Sequence, residues 1–226
     1  MSAVVPLPRA RGGPLVVRQM TRTEAGERLH SLLWRAGPGW RMISSAPLGG
    51  GLGERGWVLN AQVPHGYRRT DPDRHLAELA AAAGEHGPGV GLMTAADVTA
   101  YGRGQDGGVG AVATAGLGVR GWAASPDEGV PGPAGPGTIN IVVALPVPLT
   151  DAALVNAVAT ATEAKVQALL DAGYDCSGTP TDAVCVAARR PRRGDEVHAF
   201  AGPRSVWGAR LARAVRRAVL ASAPRP

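Results

Sequence analysis

The sequence has little lysine, phenylalanine and cysteine, and it has no long apolar run. Of its 24 lysine and arginine residues only Lys165 is a lysine, and a single phenylalanine leaves leucine, valine and alanine to form the core. No stretch is long and apolar enough to predict a transmembrane helix. Residues 1–13 have no apolar signal segment, so we expect no signal peptide. We expect these residues to form a disordered lead-in.

The two cysteines and five histidines exclude several classes of site. Cys176 and Cys185 form neither a CxxC pair nor a disulfide framework, which favours a reducing, cytoplasmic setting. The histidines have no HxH or HExxH spacing, so the sequence indicates no metal site.

Arginine supplies the positive charge, and the formal net charge is +6. The run at 189–193 and the arginines of the last predicted helix could contact nucleic acid. However, no aromatic residues are interleaved with them and no recognised reader motif is present. We therefore interpret them as a solvated face and expect no nucleic-acid partner.

Strands and helices alternate along the whole chain, and no linker divides it. Periodicity and turn residues predict strands at 14–20, 40–44, 57–63, 90–94, 109–114, 138–145, 183–188 and 197–200, and helices at 23–35, 71–83, 150–173 and 204–222. Asp71 is the expected cap of the second helix. Residues 45–53 and 120–137 read as loops, and strand 138–145 is apolar on both faces and hence central. The pattern predicts one α/β (or α+β) domain over residues 14–226, a multistranded sheet covered by helices.

Lys165 lies where a lysine is unexpected, on the apolar face of the helix at 150–173. At 100° per residue, that face is formed by Leu154, Val155, Val158, Thr162, Val166 and Leu169. An inward cation must be paired, reach water with its head group, or shift its pKa. Unlike arginine, lysine can lose its proton, so this residue is the strongest candidate for chemistry.

Two serines precede a glycine-rich loop at 44–51. Ser44 and Ser45 end a strand, and such a loop can bring backbone N–H groups close to a ligand. A flexible turn explains the same pattern. Residues 51–56 match GxGxxG formally, but a strand follows rather than a helix, which excludes a dinucleotide-binding fold.

Two of the three asparagines, Asn60 and Asn140, lie inside apolar strands. Asparagine is disfavoured there and is costly unless its amide is bonded. We expect them either to bond each other or to hold a substrate amide, and binding is slightly favoured.

Two aspartates, Asp182 and Asp97, lie where loops and predicted strands meet. Asp182 follows Thr181 and precedes a strand with a buried pattern. It could cap backbone groups, pair with Lys165, or act as an acid or base. Asp97 is a similar case, and capping is the commoner outcome for both.

Eight segments together resemble the adenosylcobinamide amidohydrolase family of cobamide salvage, in family order from about residue 40 onwards. They are ISSAPLGG (43–50), VLNAQV (58–63), VGLMTAAD (90–97), ATAGL (113–117), PGTINIVV (136–143), ATEAK (161–165), SGTPTDAVCVA (177–187) and AGPRSVWGARLARAV (201–215). One departure is the lack, in residues 117–120, of the asparagine expected soon after the TAG motif.

The resemblance implies hydrolysis of adenosylcobinamide to adenosylcobyric acid and aminopropanol. The corrinoid is then the substrate and partner, with no separate cofactor, and a homo-oligomer stays open. Two other readings remain: a corrinoid-binding protein without hydrolytic activity, and an amidohydrolase acting on another cobamide such as a pseudo-cobamide.

Amide hydrolysis needs a nucleophile, a proton for the leaving amine and donors for the oxyanion. Lys165 could act as a base if its pKa is lowered, or polarise the carbonyl if it is charged. In a nucleophilic version, Ser44 or Ser45 attacks and the glycine-rich loop supplies oxyanion donors.

A second version uses direct attack by water and is slightly favoured, because no hydroxyl has a nucleophile signature. Glu163 or Asp182 would be the base, although Glu163 points about 160° round the helix from Lys165. Thr138 and Asn140 would bind the amide. The remaining binding candidates are Ser44, Asn60, Asp97 and Thr181.

Overall fold

The computed structural model describes residues 15–24, 26–126 and 137–224. The elements in these ranges are β1 (Arg18–Glu24), β2 (Glu27–Arg35), β3 (Trp40–Ser44), β4 (Gly51–Glu54), β5 (Trp57–Gln62), α1 (Pro72–Ala82), β6 (Val90–Thr94), β7 (Gly102–Asp106), β8 (Val109–Leu117), β9 (Gly137–Leu145), α2 (Asp151–Asp171), β10 (Ala183–Arg189) and α3 (Val206–Ser222), with a 3₁₀ turn at Val98–Ala100. None of the helices in this part of the chain is long and apolar enough to cross a membrane.

The strands form two sheets. Sheet A has the order β1-β2-β5-β6, and sheet B has the order β4-β3-β10-β9-β8-β7. Only the β5–β6 and β9–β10 pairs are parallel. The expected mixed α/β fold is confirmed, with two sheets instead of one, and β9 is central in sheet B as predicted.

The sheets and helices stack in four layers. Helix α1 covers the outer face of sheet A, where Leu76 and Ala80 pack on β2 and β5. The inner faces of the two sheets pack on each other, with residues from β2, β5, β9 and β10 in one cluster. Helices α2 and α3 cover the outer face of sheet B. Side chains alternate along β9, so Ile139 and Ile141 face the helices while Asn140 and Val142 face sheet A.

Helix α2 begins at a side-chain cap, because the Thr150 hydroxyl accepts a hydrogen bond from the Ala153 N–H at 3.1 Å. Its buried face is mostly alanine, whereas Val155 is 59 % exposed and Thr162 is also exposed. The predicted face was therefore partly wrong, since small residues face the sheet and α3. Lys165 is nevertheless buried, with 7 % exposure, as predicted.

The largest error concerns the helix predicted at 23–35, because residues 23–24 end β1 and residues 27–35 form β2. Leucines at 29, 32 and 33 have helical spacing. However, β2 is covered on both faces, by α1 and by sheet B, so residues 31–34 are all buried and the two-residue alternation disappears.

Smaller differences occur at three segments. The predicted loop at 45–53 includes the start of β4. Residues 197–200 form only a single bridge, between Leu149 and His198. The Asp71 side chain makes no cap bond, because its carboxylate binds Arg69 instead. The predicted lead-in and residues 127–136 of the predicted loop lie outside the described residues.

Glycines on β7 allow α3 to lie directly against the strand. A Cβ at Gly104 would lie 1.9 Å from the Ala214 carbonyl oxygen, and one at Gly102 would lie 2.0 Å from that of Ala218. Because both neighbours are helix backbone, neither can move without shifting α3.

We therefore expect Gly104→Ala to lower the free energy of unfolding by about 1–3 kcal/mol, the usual cost of overpacking. Gly66→Ala is the matched control, because its Cβ would meet no atom within 4 Å. Thermal and urea unfolding measure both. Equal stability of the two variants would show that α3 does not depend on this contact.

Candidate active site

A buried ion pair joins α2 to the start of β10. The Lys165 ammonium donates a hydrogen bond to Oδ2 of Asp182, the residue immediately before β10. The two side chains are 8 % and 13 % exposed. Of the alternatives for an inward lysine, the structure shows the paired one.

The Asp182 carboxylate accepts four hydrogen bonds. Besides the Lys165 ammonium, its donors are the Ile139 N–H at 2.8 Å, the Thr179 N–H at 3.2 Å and the Thr179 hydroxyl. An ionised carboxylate has about four lone-pair sites, so the capacity of Asp182 is filled. This arrangement suits a group that fixes the ammonium, and leaves little capacity for a substrate proton.

Gly178 makes room for the ion pair. A Cβ at this position would lie 2.5 Å from Lys165 Nζ and 2.3 Å from Asp182 Oδ2. Gly178 was not among the site residues expected from the sequence. Its position four residues before Asp182 in the SGTPTD segment is the only signal that could have indicated it.

Both residues of the ion pair line a groove with a volume of about 860 Å³. Its walls are the loop at 119–126, one side of α2 and the segment at 177–182. The apolar residues among them include Val119, Trp122 and Val166. The groove therefore combines the ion pair and the charged residue Arg120 with walls whose surface is predominantly apolar, which is typical of small-molecule sites.

Thr138 and Thr181 lie next to the ion pair without lining the groove. They occupy neighbouring positions on β9 and just before β10, and their hydroxyls bond each other. The Thr181 hydroxyl is also within 2.9 Å of the Gly137 carbonyl oxygen.

Asn60 and Asn140 bond each other between the two sheets. The Asn140 amide donates to Asn60 Oδ1 at 2.8 Å and to the Met93 carbonyl at 3.0 Å, and Asn60 donates to the Thr114 hydroxyl at 3.0 Å. Asn140 Oδ1 is buried without a hydrogen-bond partner among the described residues. Asn140 faces sheet A, away from the helix side where Lys165 lies, so the pair does not line the groove.

The other predicted site residues also lie away from the groove lining. The Ser44 hydroxyl donates to the Val184 carbonyl at 2.9 Å, and the Ser45 hydroxyl accepts from the Val184 N–H at 3.1 Å. Asp97 caps the 3₁₀ turn by accepting from the Thr99 N–H at 2.8 Å. Glu163 is exposed on α2.

The two cysteine thiols are unsuited to nucleophilic chemistry. Burial raises the pKa of Cys176, and it raises the pKa of Cys185 to about 12. Both therefore stay protonated near neutral pH. Among the described residues, no three His, Cys, Asp or Glu side chains are grouped so that they could hold a metal ion.

This geometry defines a class of site, one in which a buried, fixed ammonium faces a groove large enough for a small molecule and can polarise a carbonyl group. Residues 15–225 match the adenosylcobinamide amidohydrolase family. The chain belongs to this family and is an amidohydrolase.

Two relatives carry the name adenosylcobinamide amidohydrolase. The protein of Methanosarcina mazei is 31 % identical over 184 residues, covering 78 % of this chain and 87 % of the relative. That of Halobacterium salinarum is 46 % identical over 88 residues, 38 % of this chain and 36 % of the relative. The PH0078 protein of Pyrococcus horikoshii OT3 shares the fold, with a TM-score of 0.51 and 12 % identity over 98 % of this chain and 89 % of that chain.

The tight contact at Gly178 predicts that Gly178→Ala displaces the Lys165 ammonium. We expect the rate of adenosylcobinamide hydrolysis to fall about a hundredfold, the scale of losing one oxyanion donor. Gly66→Ala controls for the general effect of a glycine-to-alanine change. If Gly178→Ala folds and retains the wild-type rate, a glycine at position 178 is not required to position the ammonium.

Proposed function

We propose that adenosylcobinamide binds in the groove that Lys165 lines, and that its aminopropanol amide is hydrolysed there to adenosylcobyric acid and aminopropanol. The observation that carries this proposal is the buried Lys165–Asp182 pair, which lines the groove. Family membership supplies the substrate and the reaction.

In this proposal, Lys165 polarises the scissile carbonyl. An ammonium has three N–H donors, and the described contacts use one of them, for Asp182. The remaining donors are available to the oxygen that becomes negatively charged as the carbonyl is attacked. Because walls of low polarity surround the charge, its effect on the oxyanion is stronger than in water.

Asp182 is a positioning residue in this scheme. Its four hydrogen bonds fix the carboxylate to β9 and to the loop at Thr179, and the carboxylate in turn fixes the ammonium. A donor held in place before the reaction does not have to reorganise during it.

We assign the attack to water. The water oxygen bonds to the carbonyl carbon, the C–N bond breaks, and a proton from the water reaches the leaving amine nitrogen. Ser44 and Ser45 are less suitable nucleophiles, because both hydroxyls bond the backbone of Val184 and neither lines the groove.

Direct attack by water predicts that no acyl-enzyme forms. Intact-protein mass spectrometry, after acid quenching during turnover, should show only the unmodified chain. A covalent adduct with the mass of the adenosylcobyric acyl group would overturn the assignment, and its position would identify the nucleophile.

The proposed setting is the cytoplasm, and the proposed reaction takes no cofactor from the protein. The two free, buried cysteines support a reducing compartment. Hydrolysis of an amide by water requires no electron transfer, which is compatible with the corrinoid acting only as substrate. Retention of the wild-type rate after treatment with a chelator and dialysis would agree with this proposal, and loss of activity restored by a metal would contradict it.

Lys165→Met tests the role of the ammonium, because methionine keeps the apolar stem and removes the charge. We expect kcat to fall about 10²- to 10³-fold, while adenosylcobinamide still binds. Product formation is followed by chromatography and mass spectrometry. Unfolding curves measure the stability that the variant loses with the ion pair, about 3–5 kcal/mol, and kcat is determined at a temperature where it is folded.

Phe200→Ala is the matched control, because Phe200 is 75 % exposed and lies outside the groove lining. It should keep the wild-type kcat. A folded Lys165→Met variant with wild-type kcat would show that the lysine has only a structural role. Failure of the wild-type protein to release aminopropanol would reject the proposed function.

A further inference from the structure

An exposed tryptophan lies on the wall of the groove. Trp122 is 46 % exposed, whereas Trp34, Trp40 and Trp57 are no more than 6 % exposed. A large aromatic side chain in water is unfavourable by about 25 cal/mol for each Å² of apolar surface that a ligand could cover. Its exposure inside a groove, next to other apolar groups, indicates a surface that binds.

The position of Trp122 is fixed by hydrogen bonds on both sides. The Gly121 N–H donates to the Gly178 carbonyl at 3.0 Å, and the Ser177 N–H donates to the Gly121 carbonyl at 3.0 Å. On the other side, the Ala123 N–H donates to the Ser177 hydroxyl at 2.7 Å. The backbone that carries the indole is therefore tied to the segment at 177–178.

The same segment contacts the ion pair. Gly178 approaches both Lys165 Nζ and Asp182 Oδ2 so closely that it has no room for a side chain. Residues 177–178 thus touch the Trp122 loop on one side and the ammonium on the other. The backbone that carries the indole is thus joined, through residues 177–178, to the backbone beside the ammonium.

We infer that Trp122 is the platform on which the corrin macrocycle of the substrate packs, so that it holds the scissile amide at Lys165. This inference rests on the proposed function. The neighbouring lining residues Val119, Ala123 and Pro126 extend the apolar surface, and an indole presents a broad flat face to a large ring system.

Adenosylcobinamide has a second flat group, the adenine of its adenosyl ligand. The macrocycle is joined to the scissile amide by one short side chain, whereas the adenosyl group is attached through the cobalt. When the scissile amide is at Lys165, the macrocycle is therefore closer than the adenine to a platform in the same groove.

Trp122→Ala is the direct test. We expect KM, and the dissociation constant measured in the Lys165→Met background, to rise about ten- to a hundredfold, the effect of losing the burial of one aromatic side chain. We expect kcat to fall much less than in Lys165→Met, because the ammonium stays in place. Trp122→Phe should restore most of the affinity, and Phe200→Ala should leave both constants unchanged.

Comparing two cobinamides distinguishes packing on the macrocycle from packing on the adenine. Methylcobinamide has a methyl group in place of the adenosyl ligand and the same opposite face of the ring, and the inference predicts the same loss of affinity for it as for adenosylcobinamide. A loss seen only with adenosylcobinamide would assign the platform to adenine and overturn the inference. Unchanged affinity of Trp122→Ala for both ligands would also overturn it.

Ser177 lines the groove, and its hydroxyl also holds the Trp122 loop by accepting a hydrogen bond from the Ala123 N–H; we assign it a positioning role through that bond. Ser177→Ala should raise KM in the wild-type background and have little further effect in Trp122→Ala, a coupling that a double-mutant cycle measures. Full additivity of the two changes would show that Ser177 does not act through Trp122.

The binding measurements keep this inference separate from the proposed function. If Lys165→Met binds cobinamides and Trp122→Ala does not weaken that binding, the platform fails while hydrolysis in the groove stands. If the wild-type protein does not hydrolyse adenosylcobinamide, the proposed function fails whatever the affinity of the Trp122 variants.

Discussion

The Asp182 carboxylate holds together the three parts of the chain that form the site. It accepts hydrogen bonds from the backbone of β9, from the Lys165 ammonium on α2 and from Thr179 in the loop before β10. A buried pair of this kind adds little net stability, because the cost of desolvating the charges offsets their attraction. Removing one partner is nevertheless costly, by about 3–5 kcal/mol. Its location in a groove is therefore better explained by chemistry than by stability.

Close packing by small residues brings these parts together. Alanines cover the buried face of α2, and glycines on β7 let α3 lie against sheet B. With so little side-chain volume between helix and sheet, a lysine on the inward face brings its ammonium to the loop before β10. Gly178 completes the contact, because any side chain there would occupy the volume of the ion pair.

Some of this arrangement could be predicted from the sequence, because the signals are local. The apolar run of β9, the helix that begins near residue 150 and the inward position of Lys165 each depend on a few neighbouring residues. The prediction of a helix at 23–35 was wrong, because β2 is buried on both faces and its side chains do not alternate between buried and exposed. The spacing of its leucines then resembles that of a helix. Gly178 and Trp122 could not be recognised as parts of the proposed site, because the roles we propose for them depend on contacts between segments distant in sequence. The bond between Asn60 and Asn140, which joins the two sheets, was one of the two alternatives expected from the sequence, and the structure shows it.

The most direct test is an experimental structure of the Lys165→Met variant with intact adenosylcobinamide. The account predicts that the scissile carbonyl lies beside the side chain of residue 165, in the groove that contains Asp182, with the corrin ring against Trp122. A corrinoid bound elsewhere, for example in the cleft lined by Leu48, Arg55 and Trp57, with its amide far from residue 165, would contradict it.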